Sequence, residues 1–473
     1  MRRHAPPRWR RVFGAVPVVD LVDRKIAGRE RLNSRPVCFD LQVTSAILGK
    51  VQATPIRTLR LLALDAPVDL LDQWVLIAST SGAEEVDLSL RYTFDSPRKL
   101  CPFGHKSSAD FAEGDKIHGY TKTPPQLFRC ATMRHLRLTN WMLDLPVGFG
   151  VDCVSASSLE TICLKRIMAP NEVIQQLLSA CPRLADLTLE ECPTAKEIVV
   201  TSNRLRSFAI ICCHYANRVV LRTSCLRSLR YKGGLFRGAR FIDVASYDHV
   251  AAVSIDICED LTSKGQRHVA SLKEFISRCK NLTYLYLALR PSMAYYCSLF
   301  TAVARGLPEL RQLVLKGFLA ADHVVLSVAV LLVNARNLEV LSLLPRGPGP
   351  ATKKNYYSED VDDSDVEPSP SWMKKKKKKN RAVVEHGVDY DWLNKNLRRM
   401  HIPCLDHSLR RISIAKYGGS AFDRILAHFL LSKAAALEEF SVSLSAKLSP
   451  RKEEIAMDFR SCLHNPGAIV TCN

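Results

Sequence analysis

The frame Leu-x-x-Leu-x-Leu recurs along this chain at near-constant spacing, and that recurrence limits the possible folds more than any other feature. It is plainest at Leu184, Leu187 and Leu189, at Leu282, Leu285 and Leu287, and at Leu310, Leu313 and Leu315. The same frame fits Leu59/Leu62/Leu64, Met133/Leu136/Leu138, Leu159/Ile162/Leu164, Leu205/Phe208/Ile210, Leu226/Leu229/Tyr231 and Val250/Val253/Ile255. Further copies fall at Leu338/Leu341/Leu343, Leu409/Ile412/Ile414 and Leu437/Phe440/Val442, with a looser one at Ala83/Val86/Leu88. Starts at 133, 159, 184, 205, 226 and 250 are 26, 25, 21, 21 and 24 residues apart. Units of this size cannot bury an apolar face alone and must stack into a solenoid.

Within each frame the first, fourth and sixth residues are expected to point inward, the last two from one side of a short strand. Many intervals between frames read as helices: Pro170-Asn171-Glu172 before VIQQLLSAC, SLKEFISRC before Asn281, and LSVAVLLVNAR before Asn337. A proline at a helix start and an acid in its first turn suit helix N-termini. The expected architecture is an α/β leucine-rich-repeat solenoid, a horseshoe with a parallel sheet on the concave face and helices on the convex face. Repeats are assigned to residues 23–344 and, after an insertion, 391–473. From Arg91 to about Thr123 the pattern lapses, leaving either a degenerate repeat or a loop over one face.

Composition narrows the function. The 473 residues, 47% hydrophobic, supply a large core. No apolar run reaches the roughly 18 residues of a membrane span, and the basic opening stretch lacks a signal-peptide core. The expected location is nucleus or cytoplasm, with no membrane partner. Sixteen cysteines are spread without a Cys-x-x-Cys pair and read as small buried hydrophobes. Cys212-Cys213-His214 is the tight cluster, and packing is preferred there over a metal or redox role. No Gly-rich phosphate loop or Ser/His or Cys/His motif is visible, so no enzyme, cofactor or metal is expected.

The net charge is +20, and six of the cations are Lys374 to Lys379. They follow Glu359, Asp360, Asp362, Asp363, Asp365 and Glu367 in a stretch that also holds GPGP and PSPS. Residues 345–390 therefore read as a disordered acidic and poly-Lys insertion, either a solvated linker or a nuclear-import signal. A nucleic-acid partner ranks low, because no RNA or DNA module is seen.

Outward positions carry Arg134, Arg137, Lys165, Arg206, Arg227, Arg230, Lys232, Arg311 and Lys316, with Tyr284 and Tyr286 interposed. Gathered on one face, these cations would attract an acidic or phosphorylated protein segment, since Arg pairs bidentately with carboxylate and phosphate. The competing reading is that outward positions of any solenoid are charged.

Arg8-Trp9-Arg10-Arg11-Val12-Phe13, followed by Val16-Pro17-Val18-Val19-Asp20-Leu21, resembles the last helix and exit of an F-box in land-plant F-box/LRR proteins. Cys404, SLRRISIAKYGG and LAHFLLSKAAALEEFSV resemble the FBD region that closes many of those chains. PPQLFRC before MRHLRL, and NWMLDLP from Asn140 to Pro146, are similar to a repeat junction of the same family. The resemblance covers most of residues 8–445 and implies a substrate-recognition subunit of an SCF-type ubiquitin ligase. Its partners would be a Skp-family adaptor and a cullin, with Trp9, Val12 and Phe13 on the adaptor side. Residues 1–22 correspond only to the last helix and exit of that module, so adaptor binding through these three is expected to be incomplete. The alternative is a repeat scaffold with no ligase role.

Overall fold

The computed structural model describes residues 16–23, 38–51, 54–93, 119–150, 155–236, 240–258, 266–292, 307–318, 322–345 and 390–473. The chain forms two compact units, the first ending at Ala288 and the second beginning at Leu289. In chain order the first holds strands β1 (Val18–Val22), β2 (Thr58–Leu64), β3 (Glu85–Arg91), β4 (His135–Thr139), β5 (Thr161–Lys165), β6 (Asp186–Glu190) and β7 (Glu197–Thr201). Strands β8 (Ser207–Ile211), β9 (Arg218–Arg222), β10 (Ser228–Gly233), β11 (Asp243–Val244) and β12 (Ala252–Ile257) follow, and β13 (Tyr284–Ser292) begins in the first unit and runs past its end at Ala288. The main parallel sheet runs β1-β2-β3-β4-β5-β6-β8-β10-β12-β13, while β11-β9-β7 make a second parallel sheet.

The repeat frame is the core. Leu136, Ile162, Leu187, Phe208, Leu229, Val253 and Leu285 sit side by side in register, and Leu138, Leu164, Leu189, Ile210, Tyr231, Ile255 and Leu287 form the next row. All of them are at most 3% exposed. Each such side chain contributes on the order of 1.5 to 3 kcal/mol by burial. The α/β leucine-rich-repeat solenoid expected from the spacing is the observed fold.

One frame is corrected. In β2 the buried residues are Leu59, Leu61 and Ala63, and Leu62 and Leu64 are half-exposed. Leu59 pairs with Val86 and Leu61 with Leu88, so the frame is Ile56/Leu59/Leu61 rather than Leu59/Leu62/Leu64. Across the lapse after Arg91, β3 pairs directly with β4, Val86 beside Leu136, and residues 94–118 of that interval lie outside the described residues. Trp141 closes that junction by donating its indole N–H to the Leu88 carbonyl at 2.9 Å, and the Asn140 side chain donates to Leu90 at 2.7 Å.

The element behind the main sheet follows the spacing. Helices Val68–Thr80, Asn171–Ser179 and Gln266–Arg278 occupy the longer intervals. In the short intervals from Leu184 to Val250, strands β7, β9 and β11 take the helix's place. Gln175 and Asn171, one turn apart on the helix, finish the β7 edge. Gln175 Nε2 donates to the Val199 carbonyl (2.6 Å) and its Oε1 accepts from the Val199 N–H (3.0 Å). Asn171 Oδ1 accepts from the Lys196 and Glu197 N–H groups, both at 3.0 Å. The side-chain amide thus supplies what a neighbouring strand would, as buried or half-buried backbone groups require.

The chain leaves its strands by one repeated device. Asp65, Asn140, Arg166, Glu191 and Cys212, each directly after a strand, adopt φ of 47°, 61°, 51°, 53° and 54°. Their N–H groups donate to the next strand's last residues: Asp65 to Arg91, Asn140 to Lys165, Arg166 to Glu190, Glu191 to Ile211 and Cys212 to Lys232. A left-handed non-glycine residue costs about 1 to 2 kcal/mol, and the hydrogen bond offsets part of that.

The second unit holds β14 (Gln312–Phe318), β15 (Val340–Pro345), β16 (Arg411–Tyr417), β17 (Glu439–Leu444) and β18 (Ile469–Cys472), all parallel in that order. β15 pairs directly with β16, Leu341 beside Ile412. The acidic and poly-Lys stretch between them lies outside the described residues, apart from its first and last positions. Helices Asp322–Asn334, Ala421–Lys433 and Lys452–Ser461 back these strands. Ser420 and Asp423 form a capping box at the start of the second of these helices, both bonds at 3.1 Å.

Candidate functional site

The outward residues of the main sheet stand in rows about 4.8 Å apart, the strand spacing. One row precedes the strands: Arg57, Glu84, Arg134, Glu160, Ala185, Arg206, Arg227, Ala251 and Thr283. It is continuous because each N–H donates to the carbonyl of the residue before it in the row. Its first four members alternate in sign. Arg57 pairs with Glu84, and Arg134 lies 3.9 Å from Glu160. The equivalent row of the second unit alternates too, with Arg311 2.7 Å from Glu339 and Arg410 paired with Glu438.

Several of the cations named from the sequence are thereby neutralised. Besides Arg134 and Arg311, Arg137 lies 3.7 Å from Asp87, Lys165 lies 2.8 Å from Glu190, and Arg206 lies 3.3 Å from Asp186. The expected continuous cationic face is corrected in that respect. The acids stand one repeat away, at the equivalent frame position or, for Asp186, one residue beyond it, and offset the charge. Exposed pairs of this kind contribute about 0.2 to 1 kcal/mol each. Burial pushes the Asp87 carboxyl up, against the opposing pull of Arg137. Burial also raises the Cys163 thiol, next in that row, with Arg137 again opposing.

Beyond Glu160 the alternation does not continue. Arg206 and Arg227 are adjacent in the row with no acid between or beyond them, only Ala185 and Ala251. Arg230, two rows further along the same strand, has Ala209 on one side and Ser254 on the other. Among the described residues, no carboxylate lies within ion-pair distance of Arg227 or Arg230, and both side chains are exposed. Like charges on adjacent strands destabilise a sheet. Beyond them the floor drops to Ala252 and Ser254, and Tyr284 and Tyr286 rise on the next strand, in register with those two. Lys232 stands beside Asp256 at the far end of β10. The structure thus gathers Arg206 and Arg227, directly before β8 and β10, with Arg230 and Lys232 on β10 and Tyr284 and Tyr286 on β13. Arg311, directly before β14, and Lys316, on β14, are in the second unit, and Trp9, Val12 and Phe13 lie outside the described residues.

Such a surface offers two guanidinium groups with open hydrogen-bond capacity, a small-residue floor and an aromatic wall. Guanidinium forks match carboxylate and phosphate oxygens two at a time. Alignment of the frames by row, rather than by composition, would have exposed both the pairing of Arg134 and the isolation of Arg227 from sequence.

Residues 112–246 match the leucine-rich-repeat model of the FBD-associated F-box protein At5g56370, a span that runs from before β4 through β11 and includes Arg206, Arg227 and Arg230. No curated protein matches the chain. The matched stretch is similar to an F-box-associated repeat family, and its leucine-rich repeats are those seen in the structure.

Proposed function

We propose that this chain recognises a protein substrate for an SCF-type cullin-RING ubiquitin ligase, holding an acidic or phosphorylated segment on the face centred on Arg227 and Arg230. The observation that supports it best is the exposed pair Arg227 and Arg230, which among the described residues has no carboxylate within ion-pair distance, while Arg134, Arg137, Lys165 and Arg206 beside it are each paired with an acid. An arrangement that costs stability in the free protein is repaired by an anion on the partner. The ligase connection rests on the similarity of residues 112–246 to F-box-associated repeats and on the resemblance of the Trp9 and Cys404–Val442 regions to an F-box exit and an FBD region. In this reading the chain performs no catalysis. It raises the effective concentration of substrate lysines near the ubiquitin carrier held by other subunits. No described helix is long and apolar enough to cross a membrane, and the proposed workplace is nucleus or cytoplasm.

A pull-down of the 473-residue chain with a purified Skp-family adaptor tests the ligase connection, beside a version carrying a complete F-box in front. Adaptor capture by the chain as given supports a working receptor. Capture only by the extended version leaves a recognition module that depends on a fuller adaptor-binding segment. Capture by neither favours the second reading, a repeat scaffold without ubiquitin function.

A further inference from the structure

Strand β10 ends in Gly233, with Gly234 directly after it, and a cysteine directly follows each of the two strands beside it. Cys212 follows β8 and Cys258 follows β12, and their N–H groups donate to consecutive carbonyls of β10, Lys232 and Gly233. Gly233 brings no side chain of its own, and the Tyr231 ring packs against it with its hydroxyl donating to the Gly234 carbonyl. His214, two residues after Cys212, completes the group: the two sulfurs and an imidazole nitrogen all lie within 4.8 Å of one another. Both thiols are buried, and although His214 as a whole is half-buried, its two ring nitrogens are shielded from solvent. Sequence adjacency drew attention to Cys212, Cys213 and His214, but Cys213 turns the other way. Its thiol faces the Leu189 carbonyl at 3.6 Å, the packing role that Cys192 plays one repeat earlier against Leu164 at 3.4 Å. The third donor comes instead from Cys258, two repeats on.

We propose that Cys212, His214 and Cys258 form a Zn²⁺ site. Two thiolates and an imidazole are a soft-to-borderline donor set that suits Zn²⁺ better than Mg²⁺ or Ca²⁺. With Zn–S near 2.3 Å and Zn–N near 2.0 to 2.1 Å, tetrahedral geometry puts the sulfurs about 3.8 Å apart and each sulfur about 3.6 Å from the nitrogen. Closing the set therefore shortens these separations by up to about 1.2 Å. Binding releases the two thiol protons to solvent, and water fills the fourth position. The ion would tie the ends of β8 and β12 together across β10, the strand that carries Arg227 and Arg230. This inference stands on the donor geometry alone and does not depend on the proposed ligase role.

The test uses the reduced full-length chain, titrated with Co²⁺ alone and then with Zn²⁺ alone. The expected result is one equivalent of Co²⁺ with thiolate charge-transfer and tetrahedral visible bands, both displaced by Zn²⁺. Cys258→Ser should abolish the bands, whereas Cys225→Ser, at an exposed thiol, should leave them intact. His214→Asn removes a half-buried ligand with little risk to folding. It should weaken Zn²⁺ binding by at least the roughly 10- to 100-fold that loss of an outer-shell partner costs, and remove the Zn²⁺-dependent rise in Tm. Absence of the bands in the parent chain, or equal binding by the parent and the His214→Asn variant, would overturn the site.

Discussion

The stretch from Leu184 to Val250 and the closing stretch from Leu409 to Asn473 build the same ladder from different backing. In the first, frames start at 184, 205, 226 and 250, and strands β7, β9 and β11 lie behind the sheet. In the second, frames at 409 and 437 are 28 residues apart and helices Ala421–Lys433 and Lys452–Ser461 lie behind. A strand gains about 3.3 Å per residue and a helix 1.5 Å, so five extended residues cover the distance that takes about eleven helical ones. Spacing therefore selects the backing, and the ladder is indifferent to it. Both kinds of repeat also satisfy the carbonyl of the preceding frame's first residue with a hydroxyl. Where strands back the sheet, the hydroxyl sits three residues before the frame: Ser202 to Leu184 at 2.7 Å and Thr223 to Leu205 at 3.1 Å. Elsewhere it sits one before: Thr132 to Ala83 at 3.0 Å, Ser158 to Met133 at 2.7 Å and Ser408 to Leu338 at 3.0 Å.

Truncating the ladder should hurt both regions alike and gives the largest effects. Leu187→Ala is expected to cost about 2 to 5 kcal/mol and Phe440→Ala about 3 to 5, by denaturant unfolding. An unchanged midpoint for either would break the shared-ladder picture. Next comes a change that only the strand-backed region should feel. Gln175→Ala leaves the Val199 N–H and carbonyl unpaired at the β7 edge and should cost about 1 to 3 kcal/mol. Gln175→Glu keeps the acceptor, loses the donor and should not rescue it. If Gln175→Glu matched the parent, the amide would not be acting as a strand surrogate.

Removing one carbonyl-capping hydroxyl should cost about 1 kcal/mol in either backing, so Thr223→Val and Ser408→Ala are expected to agree. A large cost for one alone would mean that the two offsets are not equivalent. In the helix-preceded frames the position three before the frame is often a thiol instead, as at Cys130, Cys181 and Cys279. Burial pushes the Cys181 and Cys279 thiols up to about 12, as it does Cys404. The native chain then keeps protons that the unfolded chain loses from about pH 9 upward. Stability is fully present below that point and falls as pH rises toward 12. Cys279→Ala should shallow the alkaline limb of a stability–pH curve and leave its slope near neutrality unchanged.

The ladder and the helices were legible because their periods survive substitution. The slip at Leu59 arose because Leu59, Leu61, Leu62 and Leu64 are all leucine, so two frames fit and only pairing with Val86 and Leu88 decides. The outer rungs were missed for the opposite reason. Val16-x-x-Val19-x-Leu21 and Gly467-x-x-Val470-x-Cys472 hold one leucine between them, yet Val19 pairs with Leu59 and Val470 with Phe440. At the candidate site the residue types were legible and their state was not. Arg134 and Arg227 occupy the same frame position, and only the neighbouring repeats show that one is paired and the other is not.

The smallest effect on stability comes from the substitution that matters most for recognition. Arg227→Glu restores alternation beside Arg206 and should raise stability by a few tenths of a kcal/mol. The most direct test of the recognition face measures binding of a Glu- and phosphoserine-rich peptide against salt concentration. The chains compared would be the parent, Arg227→Glu/Arg230→Glu, and Arg57→Glu/Arg134→Glu, which changes net charge equally but at paired positions. The expected outcome is a large loss of affinity and a shallower salt slope for the first pair, with the second close to the parent. Equal losses for both pairs would mean that the peptide reads net charge, and the isolated arginines would then have no claim to the site.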